Sequence, residues 1–486
     1  MKNCKGVAGD SISLAFVKII TTVLGLATTR ILCSFLSKSD YGTYSQVLLL
    51  VSSVSSITIL GMSDGINYYY NNNKRDKKGQ EYVSTIFFMQ LIVSILGIIV
   101  ITIIRPQLMI YFKNDNLKSL LVFVYILPLM QNLISMLQVL FISIGEAKKI
   151  AYRNFIISVS NLILFTIGSY YIRKVYILLL FTTALNGIQI IYFCIVLFRS
   201  GITFKMRDIK LGYTKSILKY CIPMAMFIMT NSLSRDLDKY VVSAFTNAET
   251  LAMYSNASRI LPFDIIMISF VTVLTPVLTR ILGEKQYIKA QKVYSSFLMI
   301  SYLSTVILAA GIIPVASNAM CFLYSEKYVE GTSIFVIYII IDIIRFMGLS
   351  LVLSATGNSA ILMKISLVSL GANAILNVIL FKIFGVIGPA IATLVVMLGA
   401  GMVTLKCSSK AMNSTILRVF NIKELLKKTM VIVMICMVEY ILSRLVIKFF
   451  TNNFIILAIC YGSYLMAALL IFKKSIIYYY KELNNI

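Results

Sequence analysis

Apolar stretches of about twenty residues follow one another through almost the whole chain, and that length is what one helical crossing of a bilayer requires. Read with a window of about nineteen residues, fourteen of them stand out, at 11–36, 44–67, 83–104, 119–144, 151–172, 175–198, 217–245, 251–282, 292–320, 332–356, 360–381, 386–406, 428–450 and 454–472. The bilayer interior offers backbone groups no partner outside the segment itself, so each is expected to be a helix. None shows the alternation that a transmembrane β-barrel requires. Hydrophobic residues make up 59% of the 486 and charged residues only 13%, which excludes a disordered chain and argues against a soluble globular one. The expected fold class is an all-α integral membrane protein of about 14 transmembrane helices.

The net charge of +26 reads as a topology signal rather than as affinity for nucleic acid. With the N-terminus inside, the inner connections carry 27 Lys and Arg and the outer ones 10, so the positive-inside rule places both termini in the cytoplasm. Lys2 and Lys5 precede an apolar run that continues to Leu36; it is too long for a signal-peptide core and is read as the first span. His is absent, which removes the usual neutral-pH proton shuttle and most triad chemistry. The eight cysteines stand singly with no CxxC pair, the pattern of reduced thiols rather than of a metal site or a disulfide framework. No catalytic residue, metal or cofactor is expected. A coupling ion, sodium or proton, is left unassigned.

Tyr44-Ser45 recurs as Tyr254-Ser255 at an offset of 210, and Gly145 with Gly357 and Asn161 with Asn373 match at 212. The same offset superimposes span one on seven, two on eight, five on eleven and six on twelve. An even number of crossings per half makes the repeat parallel, and transporters so built bind substrate between their halves and expose it to each side in turn. The expected division is a six-helix lobe over 1–212, a second over 213–412, and 413–486 holding helices 13 and 14 with a cytoplasmic tail.

Charges within spans are costly and normally face a cavity or a partner. Here they concentrate on the repeat-related spans one and seven, two and eight. Lys18, Arg30, Arg235 and Arg259 are the candidate substrate-binding residues, since Arg offers a fork matched to phosphate oxygens and Lys a mobile point charge. The helical rise puts the three arginines at comparable height in the outer half and Lys18 on the inner side. Alternatively Arg30 and Arg235 snorkel to the interface, or Arg235 is neutralised by Asp238 three residues on. Asp64, Asp236 and Asp264 are candidate coupling or pairing acids, Asp64 also reading as an end-of-helix residue. Asp342 with Arg345 reads as a structural ion pair; Glu439, Arg444 and Lys364 read as structural or interfacial. Six of the seven prolines fall inside predicted spans, Pro106 being outside. Pro223, Pro262 and Pro276 on the proposed cavity helices are possible hinges, or static kinks.

Thr28-Thr29-Arg30-Ile31-Leu32 followed by Asp40-Tyr41-Gly42-Thr43-Tyr44-Ser45-Gln46 resembles the first-hairpin signature of Wzx-type oligosaccharide flippases. Met253-Tyr254-Ser255-Asn256-Ala257-Ser258-Arg259-Ile260 with Pro276 is similar to their span-eight segment. Asn373-Ala374-Ile375-Leu376-Asn377 with Phe384-Gly385-Val386-Ile387-Gly388-Pro389-Ala390-Ile391-Ala392-Thr393 is similar to their spans eleven and twelve, although Ala is commoner where Pro389 stands. The resemblance covers residues 10–406. It implies membership of a superfamily that also holds multidrug exporters and the flippases of peptidoglycan precursor, whose fourteen-span branch uses its last two helices to shape a groove for the lipid tail. It further implies a polyprenyl-diphosphate-linked oligosaccharide as substrate, moved from the inner to the outer leaflet of a bacterial plasma membrane for surface polysaccharide, with membrane lipids, a polysaccharide polymerase and glycosyltransferases as partners. Two alternatives remain at this stage. A cation-coupled multidrug exporter would leave Asp64, Asp236 and Asp264 unpaired, and a membrane glycan polymerase would need a large outer loop or a clustered acid/base set.

Overall fold

The computed structural model describes residues 2–73, 77–202, 204–263, 265–345 and 347–484. It is 89% helical, with no strand among the described residues. Packing divides the chain into two compact units, residues 1–252 and 253–486.

The first unit is built from α1 (Lys2–Phe35), α2 (Lys38–Thr58), α3 (Met62–Asn72), α4 (Lys77–Phe112), α5 (Leu117–Ser143), α6 (Ala147–Ile167), α7 (Val175–Arg199) and α8 (Thr214–Phe245). A further helix, α9 (Ala248–Ala257), carries the chain across the unit boundary. Helix α5 packs on α2, α3, α4 and α7, while α1 lies along α6. Ser37 starts α2: its Oγ accepts from the Asp40 N–H at 3.0 Å, supplying one of the backbone groups that a helix start leaves without a partner. Span two is bent by 40° between α2 and α3. The bend is at Leu60 and Gly61, both in the left-handed region with φ of 43° and 67°. A Cβ on Gly61 would stand 2.5 Å from the Cys221 carbonyl oxygen, so conformation and packing both demand glycine there. Tyr69, Tyr82 and Tyr213 stack in series at centroid separations of 4.4 and 4.2 Å, tying α3 and α4 to the segment that leads into α8.

The second unit holds α10 (Ile265–Gly283), α11 (Tyr287–Ala309), α12 (Ala316–Tyr324), α13 (Thr332–Arg345), α14 (Leu351–Ala355), α15 (Ser359–Phe384), α16 (Gly388–Ala411), α17 (Ile416–Val419), α18 (Ile422–Phe449) and α19 (Asn453–Asn484). Its core gathers α10, α11, α18 and α19 around fully buried Tyr294, Phe297 and Tyr464. Between α11 and α12 the chain tightens into a 3₁₀ segment, Ala310–Val315.

Nine segments of the described residues are long and apolar enough to cross a membrane, and the bent pair α2–α3 makes ten. One of the nine, 359–411, is two helices, α15 and α16. Spans seven, eight and ten correspond to the charge-bearing α8 and to the interrupted pairs α9–α10 and α13–α14. Two expectations change. Span eight is not continuous: residues 258–263 are non-helical, so Arg259 and Pro262 lie in a break and not inside a helix. Pro106 is inside α4, which runs to Phe112; the apolar window closes at Arg105, but the helix continues beyond it. Pro223 and Pro276 sit within α8 and α10 as read.

The internal repeat has a local counterpart. Gly145 after α5 and Gly357 after α14 both take positive φ, 88° and 72°. In each turn the next residue's N–H reaches back five residues, Glu146 to the Phe141 carbonyl and Asn358 to the Leu353 carbonyl, both at 2.9 Å. Gly201 and Asn413, also 212 apart, end α7 and α16 in the same way, with Ile202 donating to Leu197 and Ser414 to Ser409. This is the left-handed helix stop that glycine, and after it asparagine, adopts at least cost.

Candidate functional site

Two cavities open in the first unit and share Gln131 and Ser135 of α5. The larger, of about 460 Å³, lies between α2, α5 and α8 and is lined by Ser52, Ser55, Ser56, Gln131, Asn132, Ser135, Ser232 and Arg235, with Leu48, Val51, Ile59 and Ile228. The smaller, of about 360 Å³, lies between α5 and α7 and adds Gln138, Asn186 and Gln189. Polar residues recur at helical spacing along otherwise apolar helices: 52, 55 and 56; 131, 135 and 138; 186 and 189. Each set therefore faces one side. Among the described residues, Arg235 is the only charged one lining either cavity, and no carboxylate lines them.

The lining is held by bonds behind it. The buried Asn132 amide lies 2.6 Å from Ser55 Oγ and 2.9 Å from Thr58 Oγ1. Ser52 Oγ donates to Asp236 Oδ2 at 3.3 Å, and Asp236 Oδ1 is paired with Lys239 Nζ at 2.8 Å. Ser63 and Ser135 hydroxyls meet at 3.0 Å across α3 and α5. Behind the smaller cavity stands Arg153 of α6, 8% exposed. Its guanidinium donates to Gln189 Oε1 at 2.6 Å, Gln138 Oε1 at 3.2 Å and Asn154 Oδ1 at 2.5 Å, and lies 4.7 Å from the centre of the Phe193 ring. With their oxygens held by Arg153, Gln138 and Gln189 have fixed orientations. Fixing donors and acceptors in advance removes ordering cost from binding.

The sequence candidates are placed as follows. Arg235 lines the larger cavity. Lys18 and Arg30 are exposed on α1. Arg259 is half-buried in the break after α9, in the second unit. Asp64 is half-buried in the first turn of α3. Asp236 is a paired acid, its partner being Lys239. Asp238 is buried, and its Oδ1 accepts from the Lys239 N–H at 2.8 Å. Asp264 lies outside the described residues. Asp342 and Arg345 form the expected pair at 3.7 Å, and Asp342 Oδ2 also accepts from the Leu261 N–H at 3.3 Å, pinning the end of the break. Glu439 and Arg444 do not pair: Arg444 donates to Tyr440 Oη at 2.7 and 3.2 Å, while Glu439 is 3% exposed and buried. Five residues apart on one helix, they do not share a face.

The residues that carried the family signature are mostly structural. Tyr41, Gly42, Thr43, Tyr44 and Gln46 are buried. Gln46 Oε1 and Thr43 Oγ1 both accept from Asn114 Nδ2, at 2.7 and 2.8 Å. A Cβ on Gly42 would fall 2.0 Å from the Ala248 carbonyl oxygen. In the second unit Tyr254 is fully buried with its hydroxyl 3.4 Å from that of Tyr338.

Over residues 31–333 the sequence matches a family described as polysaccharide biosynthesis protein. The chain belongs to that family. Comparison with curated proteins finds no match. Among solved structures, this chain is similar to the lipid II flippase MurJ in an inward closed conformation, at TM-score 0.73 and 16% identity, covering 96% of this chain and 100% of that one. It is similar to an inward-facing multidrug resistance MATE family transporter of the MOP superfamily, at TM-score 0.65 and 16% identity, over 82% of this chain and 98% of that one. A third likeness is to the Vibrio cholerae MATE transporter VcmN in its bent form, at TM-score 0.54 and 14% identity, over 85% and 98%. The fold is that of the MOP-superfamily transporters.

Proposed function

We propose that this family member is a flippase that carries a polyprenyl-diphosphate-linked oligosaccharide from the inner to the outer leaflet of the plasma membrane by alternating access. The observation that carries the reading is the chemistry of the paired cavities. Hydroxyl and amide groups line them on both sides, and among the described residues Arg235 is their one charge and no carboxylate joins the lining. Sugar hydroxyls both donate and accept, and Ser, Asn and Gln answer both roles. Arg235 supplies the fork that phosphate oxygens take. A volume near 460 Å³ falls within the range of about 300–1,000 Å³ that small-molecule sites occupy, enough for a part of the head group at a time while the lipid tail stays in the bilayer.

A cation-coupled drug exporter on the same fold would favour acids in these walls. Asp236, which accepts a hydrogen bond from the lining Ser52, is also paired with Lys239. Both termini are taken as cytoplasmic on the asymmetry of the basic residues. The reading predicts that Arg235→Ala, made at normal protein level in a host that depends on this chain for surface polysaccharide, loses export, and that Arg235→Lys keeps part of it. Full export by the Ala variant, or drug resistance on overexpression without any effect on polysaccharide, would count against it.

A further inference from the structure

Helix α18 carries an acid that the proposed cargo site does not use. Glu439 is 3% exposed, and neither of its carboxylate oxygens has a hydrogen-bond partner among the described residues. Nor is any Lys or Arg within ion-pair distance of it among them. The nearby Arg444 is taken by Tyr440.

The groups facing it are few. Its own helix contributes the Cys436 thiol, and α19 contributes the Cys460 thiol and the Tyr461 and Tyr464 hydroxyls, all within electrostatic reach of the carboxyl. The two tyrosines already donate elsewhere, Tyr461 to the Leu308 carbonyl at 2.8 Å and Tyr464 to the Val306 carbonyl at 3.3 Å. Cys436 points its sulfur at the Ala310 carbonyl at 3.6 Å. The third element packed there, the 3₁₀ segment Ala310–Val315, contains no titratable residue. Among the described residues these surroundings hold no cation, and the Cys460 thiol, a weak donor, is the one uncommitted S–H or O–H facing the carboxyl; they suit the neutral acid.

A neutral acid fixed in place would be a structural oddity. What gives Glu439 a use is its position against that segment. Helix α18 packs on the 3₁₀ stretch where α11 gives way to α12, a stretch that contains Pro314 and in which Gly311 is pressed against the Tyr464 ring so closely that a Cβ would fall 2.2 Å from it. Broken helices inside a membrane are tolerated where neighbouring groups supply what the backbone lacks. An acid beside such a break has both a reason to stay neutral while packed and a route to water if the break moves.

We infer that Glu439 is a proton-binding site of this transporter, filled and emptied from water. On filling, a carboxylate oxygen takes a proton from hydronium and leaves a water molecule; emptying reverses the step. In a chain without His, a buried acid is the available group for this work. The inference requires a transporter but not any particular cargo.

The test uses the full chain in liposomes and dicyclohexylcarbodiimide, which modifies protonated carboxyl groups in apolar surroundings. The expected result is an adduct on the Glu439 peptide, seen by mass spectrometry, whose yield falls at least about fivefold as the pH is raised from about 6 to about 9. Glu439→Gln should show no adduct on that peptide, and Glu439→Asp should restore it. An adduct whose yield does not change with pH marks a permanently neutral structural acid and overturns the inference, as does the absence of an adduct at every pH. A second arm encloses a pH-indicating dye and adds a polyprenyl-diphosphate-linked disaccharide as probe. Internal pH should move with the wild type and not with Glu439→Gln; a Gln variant that flips the probe and moves protons as the wild type does overturns the inference. If the wild type does not flip the probe at all, the cargo reading fails on its own, and the labelling arm still decides the proton site.

Discussion

Two buried polar side chains, Arg153 in the first unit and Glu439 in the second, have opposite surroundings. Arg153 is 8% exposed and gives hydrogen bonds to three amide oxygens and a face to Phe193. Glu439 is 3% exposed and meets no hydrogen-bond partner among the described residues. The Arg153 Nε has no partner among the described residues, but the bonds from its two terminal nitrogens fix the amides of a cavity wall. An acid without partners gains nothing from staying ionised and is free to change its state. The contrast gives Arg153 a positioning role and Glu439, on the inference above, a switching one.

Unfolding experiments on the purified protein in detergent can break that comparison. The largest effect should follow Arg153→Met, which leaves the oxygens of Gln138, Gln189 and Asn154 without their donor and should cost about 3 kcal/mol, read as a lower unfolding temperature. A smaller loss of about 2 kcal/mol is expected for Gly42→Ala, where the new methyl meets the Ala248 carbonyl and the close approach of two helix starts must open. That variant shows whether the signature motif is packing or binding: loss of cargo binding without loss of stability would contradict the structural role given to it. The smallest effect belongs to Glu439→Leu, expected to unfold within about 1 kcal/mol of the wild type or above it, because nothing depends on the carboxyl for a bond. If Leu at 439 destabilised as much as Met at 153, Glu439 would have a partner and the contrast would fall.

Much of the fold was legible because bilayer crossing leaves a long, one-dimensional signature in the sequence. Apolar runs located the spans, and the repeat offset of 212 found turns that prove alike in backbone conformation at Gly145 and Gly357. The breaks were not legible. Residues 258–263 and 310–315 each sit within a long apolar stretch, and although each contains a proline, Pro262 and Pro314, a proline marks a kink as readily as a full break. The candidate site was half read. Searching for charges found Arg235, but the cavity is mostly made by neutral groups, Ser52, Ser55, Gln131, Ser135, Gln138, Asn186 and Gln189. Their helical spacing was present in the sequence and is the signal that could have found them. In the sequence Glu439 reads as structural or interfacial, because its burial depends on how α18 is rotated against α19, which only packing decides.

The account depends most on whether the amide-lined cavity with its single arginine handles a phosphate-linked sugar. The direct measurement is reconstitution of the full chain in liposomes, with the transfer of a fluorescent polyprenyl-diphosphate-linked oligosaccharide between leaflets followed by quenching from one side. The wild type should move it, Arg235→Lys should retain part of the rate, and Arg235→Ala should lose at least about tenfold, the factor that about 1.4 kcal/mol of a lost charge-assisted contact represents. A rate unchanged by Arg235→Ala, or a wild type that leaves this lipid in place and instead exports cationic drugs, would contradict it.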